Sequence, residues 1–440
     1  MTDRRGGSHS EPFLAGGAAS IQRCAACGST LPETDASVAC RSCGGLLEIV
    51  HAAPELHGAA LMARFAQRRG THPGSEPSGV WQFRELVMPS AVELVSYPEG
   101  HTPLVDREGV RTFAGVATLH LKHEGLNPTG SFKDRGMTVA LTQAKRIGAR
   151  AVVCASTGNT SASLAAYAAN AGIPALVLVP KGQIAMGKLT QTLAYGAKTL
   201  LVDGDFDACL RLVREASEKL GVYLVNSINP WRIEGQKTII FELLQQFGWE
   251  TPGWIAFPAG NLGNTSAFGK ALREAHALGL IAKVPRLLAV QAAGAAPFAH
   301  AFANGFTRRE VVKPETIATA IRIGDPASWD RAVIAIRETN GAVTAVTDAE
   351  ILEAKAVIDA SGIGCEPASA AALAGVRQLC ARGTIAASDA VVCVLTGHLL
   401  KDPDTVMAYH GGTLPHAGRR NRIVEIPAEL GAIERILLQF

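Results

Sequence analysis

From Ala117 onward the chain alternates two patterns of apolar and polar positions. Short, almost wholly apolar runs, such as AVVCA (151–155), ALVLVP (175–180) and AVVCVL (390–395), lead into polar, glycine-containing turns. After the turns come longer stretches in which apolar residues return every three or four positions. The first pattern predicts strands buried on both faces and the second predicts helices that cover them, which together give parallel sheets in an α/β fold. The segment ARAVVCASTGNTSASLAAYAANAGIPALVLVP (149–180) contains the whole unit: a strand, a turn, an alanine-rich helix stopped by Gly172-Ile173-Pro174, and the next strand. Upstream, ELHGAALMARFAQRR (55–69) and SGVWQFRELVM (78–88) predict helices, so residues 51–115 read as a helical arm packed on the α/β region. Residues 1–20, polar and rich in Gly and Ser, predict a flexible N-terminus. Ligands of open parallel sheets bind beyond the carboxyl ends of the strands, which directs attention to the turns.

Composition narrows the class without naming the chemistry. With 48% hydrophobic and 18% charged residues over 440 positions, the chain can bury a large core in two or three domains. A formal net charge of +3 gives no reason to expect nucleic acid or a membrane surface as a partner, so any anion site must be local. No apolar run reaches the ~18 residues of a membrane span, and the first twenty residues have no apolar signal-peptide core, which predicts a cytoplasmic protein.

Four of the nine cysteines stand apart from the rest. Cys24, Cys27, Cys40 and Cys43 form C-x2-C-x12-C-x2-C, with Gly28 and Gly44 where each knuckle must turn. Two such knuckles bring four thiolates to one tetrahedral point and leave no open coordination position, so residues 21–50 predict a zinc-ribbon-like module with a structural zinc. Cys154, Cys209, Cys365, Cys380 and Cys393 read as reduced, mostly buried thiols.

Three turns offer binding groups after strands. In FPAGNLGNTSAF, Gly260 and Gly263 let the backbone approach an anion at the start of a helix, where unpaired N–H groups carry partial positive charge. In CASTGNTSAS, Ser156, Thr157, Asn159 and Thr160 present hydrogen-bonding groups at another helix start, and Thr396 in LTGH closes a strand. A lysine, Lys133, stands in the tight turn NPTGSFKDRG (127–136). A lysine, a phosphate cradle, an asparagine and a strand-end hydroxyl are the contacts that pyridoxal phosphate requires.

In chain order, NPTGSFKDRG, STGNTSAS, NPWRIEGQKT, GNLGNTSAF and LTGHLLKDP resemble the threonine synthase family, pyridoxal-phosphate enzymes of fold type II, from EGHTPL (99–104) to the end of the chain. The resemblance implies two open, mostly parallel sheets flanked by helices in a core over 116–410. A smaller subdomain occupies about 150–235, and residues 411–440 pack on the core. It implies that Lys133 binds the cofactor and acts as base, that Asn159 contacts the 3′-oxygen of its ring, that Gly260, Asn261, Leu262, Gly263 and Asn264 hold its phosphate, and that Thr396 faces the ring nitrogen. Ser156, Thr157, Thr160, Asn226 and Arg232 then match substrate positions, with Lys188 a further candidate for the substrate's phosphate. The implied reaction is that of a carbon–oxygen lyase converting O-phosphohomoserine and water to threonine and phosphate, carried out by a homodimer. His101 and Leu399 depart from the family pattern, where Asn and Gly are expected. Two rival readings remain open: a dehydratase or β-replacement synthase of the same fold, and a non-catalytic ribbon protein that binds a macromolecular partner.

Overall fold

A computed structural model describes residues 11–14, 19–69, 78–182, 186–415, 417–421 and 423–438, without the side chains of 186–188. The flexible segment expected over 1–20 falls largely outside the described residues. Two mostly parallel sheets and one small antiparallel sheet carry the molecule.

The larger sheet has six strands, β4 (Leu104–Val105), β5 (Thr118–His123), β10 (Trp254–Pro258), β11 (Arg286–Ala292), β12 (Ala342–Val346) and β13 (Ala390–Leu395), in the order β12-β11-β10-β13-β5-β4. All neighbours are parallel except β4, which pairs antiparallel with β5 at the edge. Every residue of β10 is buried, as expected for a central strand covered on both sides. On one face, Phe257 meets Phe268 edge-on, with ring centroids 4.8 Å apart, in a core that also holds Trp231, Phe241 and Phe83. On the other face lies the alanine-rich helix Pro367–Ala381, packed against Leu288, Val290 and Cys393.

The smaller sheet is all parallel, with β6 (Val152–Ala155), β7 (Ala175–Pro180), β8 (Lys198–Val202) and β9 (Tyr223–Leu224) in the order β8-β7-β6-β9. The cysteine module is the antiparallel sheet β2-β1-β3, from β1 (Ser20–Cys24), β2 (Thr30–Pro32) and β3 (Leu47–His51). In the arm, helix Gly58–Arg69 places Leu61 and Phe65 in the larger core, where Phe65 meets Phe83 edge-on at 4.9 Å. The C-terminal region divides. Leu414 and Ala417 pack with Tyr409 against Leu352 and Ala356, whereas helix Leu430–Leu437 buries Ala432 and leaves Leu430, Ile433 and Leu437 exposed. Among the described residues, no helix is long and apolar enough to cross a membrane.

Candidate active site

The turn 127–136 shows why one lysine stands between a glycine–serine pair and an Asp-Arg pair. Gly130 supplies the left-handed backbone (φ +86°) that folds the turn. The turn is then stitched to the end of β13: Phe132 N–H donates to the Thr396 carbonyl (3.0 Å), and His398 N–H donates to that of Gly130 (2.9 Å). Each charged neighbour of Lys133 has a fixed partner. The Asp134 carboxylate accepts from Thr129 N–H (2.7 Å), the Thr129 hydroxyl (2.6 Å) and the Ser163 hydroxyl (2.6 Å). Arg135, fully buried, donates to Glu124 (2.7 Å) and Glu242 (3.0 Å), and Lys122 also donates to Glu242. Lys133, the first residue of helix Lys133–Arg146, pairs with no carboxylate among the described residues. Its ammonium form is penalised by burial and by repulsion from Arg232, with Glu366 opposing only in part, so its pKa is lowered to about 7.

Arg232 comes close because two glycines remove side chains where two helices cross. Helix Pro230–Gln236, capped by Asn229 with Pro230 in its first turn, lies against helix Lys133–Arg146. A Cβ on Gly136 would stand 2.8 Å from the Arg232 carbonyl oxygen, and one on Gly235 would overlap the Arg135 carbonyl. The buried Arg232 guanidinium donates from Nη1 to the Val225 carbonyl (3.2 Å), while Nε and Nη2 have no partner among the described residues. Burial lowers its pKa to about 10. A buried cation with two open donors is costly until an anion joins it.

The loop after β10 leads into a helix N-terminus, and its shape depends on more than its glycines. The left-handed residue is Leu262 (φ +62°), at the N-cap of helix Gly263–Ala277, and no side chain caps that helix. Gly260 is needed for packing: a Cβ there would stand 2.9 Å from Ile321 Cα, whereas at Gly263 it would meet only Gln236 Oε1 at 3.4 Å. Asn261 braces the loop, donating to the Ser227 hydroxyl (2.5 Å) and accepting from Ala327 N–H (2.6 Å). Asn264 Oδ1 and Thr265 Oγ1 are buried without partners among the described residues.

At the end of β6, Ser156, Thr157 and Thr160 lie half-buried around the start of helix Asn159–Ala171, which has no side-chain cap. Ser156 Oγ accepts from Gly158 N–H (3.2 Å). Asn226 has another occupation: its amide both accepts from Ala155 N–H and donates to the Ala155 carbonyl, each at 3.0 Å, so it extends the strand pairing and holds this turn in place. Lys188 lies on helix Met186–Ala194, and its side chain falls outside the described residues. His101 and Leu399 stay clear of these groups. His101 Nε2 meets Gln82 Oε1 (3.0 Å), and Leu399 packs against Gly364.

The sequence reading missed Glu366. Its Oε2 accepts from Asn159 Nδ2 (3.0 Å) and its Oε1 lies 3.3 Å from Thr396 Oγ1, so it joins the two residues assigned to the cofactor ring. Thr396 Oγ1 also lies 3.0 Å from Ser369 Oγ. In the sequence, a glutamate before Pro367 looks like a helix N-cap, and no local signal turns it toward Asn159.

Away from this site, Cys24, Cys27, Cys40 and Cys43 bring their sulfurs within 4.8 Å of one another. Cys24 and Cys43 are 3.5 Å apart and Cys27 and Cys40 3.7 Å, while sulfurs bound to one tetrahedral zinc at about 2.3 Å lie about 3.8 Å apart. Gly28 (φ +75°) and Gly44 (φ +71°) make the two knuckle turns.

The profile of the family described as "Pyridoxal-phosphate dependent enzyme" matches residues 95–397. The chain is 44% identical over 389 residues to the threonine synthase of Methanosarcina acetivorans, covering 88% of this chain and 93% of that one. It is 53% identical over 315 residues to that of Mycobacterium leprae, covering 71% and 85%. The chain belongs to the threonine synthase family. The fold agrees: the threonine synthase structure from Escherichia coli superposes with a TM-score of 0.66 at 20% identity, covering 95% of this chain and 99% of that one. A maize serine racemase gives 0.61 at 22% identity over 76% of this chain and 97% of that one. The residues present fit the family's cofactor. A lysine amine near neutrality, an uncapped fifteen-residue helix behind a left-handed loop residue, and the unpartnered Thr265 hydroxyl suit an aldehyde at one end and a phosphate at the other.

Proposed function

We propose that the protein converts O-phosphohomoserine and water to threonine and phosphate, with Lys133 as the catalytic residue. The observation that carries this reading is the buried Arg232 guanidinium, whose Nε and Nη2 lack partners among the described residues and which sits close enough to Lys133 to depress its pKa. A dehydratase acting on threonine removes a β-hydroxyl and has no use for such a cation, whereas a substrate that loses phosphate from its γ-carbon needs one to hold the leaving dianion.

When bound, pyridoxal phosphate supplies an aldehyde for the substrate amine and an electron sink for its α-carbon. Lys133, with a pKa of about 7, can shed its proton near neutral pH and so serve as nucleophile and then as base at the α- and β-carbons. Ser156, Thr157 and Thr160, with the N-terminus of helix Asn159–Ala171, orient the substrate carboxylate, and Asn226 holds their turn through Ala155. Gly260, Asn261, Leu262, Gly263 and Asn264 would hold the cofactor phosphate, and Asn159 and Thr396 would contact its ring. Lys188 is a second cation for the substrate phosphate.

The same reading gives the four cysteines a structural zinc and takes the enzyme as a cytoplasmic homodimer. Its domain limits are 21–50 for the ribbon, 51–115 for the arm and 116–410 for the core, with the smaller subdomain at about 150–235. The deciding experiment supplies purified protein with O-phosphohomoserine, phosphoserine and threonine in turn. Phosphate and threonine should appear from the first alone. Brisk 2-oxobutyrate from threonine, with no phosphate from O-phosphohomoserine, would establish the dehydratase instead.

A further inference from the structure

Glu366 occupies a helix N-cap and yet does not act as one. It precedes Pro367 at the start of helix Pro367–Ala381, where a carboxylate is favoured by the helix dipole and by open N–H groups, but its side chain accepts from none of them. The carboxyl turns instead into the site between the two larger sheets. There Oε2 accepts from Asn159 Nδ2 at 3.0 Å and Oε1 stands 3.3 Å from Thr396 Oγ1. The backbone pins this arrangement, since Glu366 N–H donates to the Gly397 carbonyl (3.0 Å) and Gly397 N–H donates to Ser369 Oγ (3.0 Å). No side chain fits at 397, because a Cβ there would overlap the Glu366 carboxyl group.

We propose that Glu366 is a positioning residue for the cofactor ring, fixing the Asn159 amide through one carboxyl oxygen and the direction of the Thr396 hydroxyl through the other. The inference rests on the reading of Asn159 and Thr396 as the ring contacts. An asparagine amide has two N–H donors, and spending one on Glu366 Oε2 aims the other at the 3′-oxygen. Thr396 has a single proton. If Glu366 carries a proton on Oε1, it donates that proton to Thr396 Oγ1, which leaves the threonine proton free for an unprotonated ring nitrogen. If Glu366 is ionised, it claims the threonine proton, and Thr396 offers the nitrogen only a lone pair.

The surroundings favour the first arrangement. Burial raises the pKa of Glu366, opposed by the hydrogen bond from Asn159 and then by the charge of Lys401, the Thr396 hydrogen bond and the charge of Lys133. The charged groups facing it are Lys133, whose own pKa is lowered to about 7, and Lys401, whose pKa is also lowered. Behind it, the Lys355 amine is taken up by Asp359 (2.6 Å) and the Cys365 carbonyl (2.7 Å). In its neutral form the acid sets Thr396 as donor to the ring nitrogen, whereas in its ionised form it accepts the threonine proton.

The test is the absorption spectrum of the cofactor-loaded protein across pH, read beside kcat and KM. Glu366→Gln keeps an acceptor for Asn159 and a donor for Thr396, so its band position, pH profile and kcat should match the wild type. Glu366→Ala should move the band and lower kcat about tenfold, the worth of one hydrogen bond to a buried group, with KM little changed. If Glu366→Ala does not fold or load, Glu366→Asp carries the test, because it withdraws the carboxyl from both partners and should likewise move the band. A wild-type spectrum and pH profile in Glu366→Ala, or in Glu366→Asp where that variant is needed, would overturn the proposal. So would a Glu366→Gln band displaced as far as that of Glu366→Ala. A wild type with no cofactor band would instead overturn the reading of the site itself.

Discussion

At the scale of single residues, the charge of Arg232 acts on Lys133, and each residue can be tested alone. The amine of Lys133 has its pKa lowered to about 7, so cofactor capture by the cofactor-free protein should quicken with pH up to that value and level off above it, as measured by stopped-flow absorbance. Its linkage to stability has a definite sign. A lysine with a folded pKa near 7 and an ordinary value of 10.5 takes up a proton on unfolding, so its contribution makes the cofactor-free protein more stable as pH rises between those values. Comparing urea midpoints over that range, Lys133→Met should lose this part of the trend. For Arg232, truncation to Ala should cost about 2–5 kcal/mol of transition-state stabilisation for the phosphorylated substrate, read from kcat/KM, while the absorption of the bound cofactor persists. These two residues were legible in the sequence because each lies in a motif with a chemical reason. Asn226 was legible as a match to a substrate position of the family, but its bidentate grip on Ala155 depends on where β6 and β9 meet.

At the scale of elements, the site depends on how closely helices Lys133–Arg146 and Pro230–Gln236 approach. Gly235 sits where a Cβ would run into the Arg135 backbone, which cannot move without disturbing the buried Glu124–Arg135–Glu242 network. Gly235→Ala should therefore destabilise the protein by about 3 kcal/mol or more, at the upper end for overpacking, as a fall in the urea midpoint. It should also weaken phosphorylated-substrate binding by shifting Arg232, whereas Gly172→Ala, at an exposed helix end with nothing near its Cβ, should affect stability alone. Strands and helices from Ala117 onward follow the apolar periodicity closely, since burial on both faces of β10 and β13 demands apolar residues at nearly every position. The phosphate loop was legible as a loop, but its left-handed residue was not, because Leu262 adopts φ +62° against its own preference and only the packed surroundings hold it there.

At the scale of the whole molecule, the cysteine module is tied to the catalytic core through β3. The Ile49 carbonyl accepts from Lys270 (2.5 Å), the Leu47 carbonyl from Arg331 (3.1 Å), and His51 Nε2 meets Glu234 Oε2 at 2.9 Å, two residues beyond Arg232. If the four thiolates hold zinc, metal analysis should return about one zinc per chain, and Cys40→Ser should release it and lower Tm while the cofactor stays bound. Substoichiometric metal in freshly purified, chelator-free protein would remove the zinc from the account. By itself the sequence determined the parallel α/β layers, the four-sulfur cluster, the lysine turn and the family, because these depend on local periodicity, fixed spacing and motifs a few residues long. Only the tertiary structure decided that Arg232 is left with open donors, that Asn226 serves the backbone and that Glu366 joins Asn159 to Thr396. Those facts belong to groups far apart in the chain: Asn226 and Ala155, 71 residues apart, meet where β6 and β9 end side by side in the smaller sheet, and Asn159 and Glu366, 207 apart, meet where the ends of the two sheets come together.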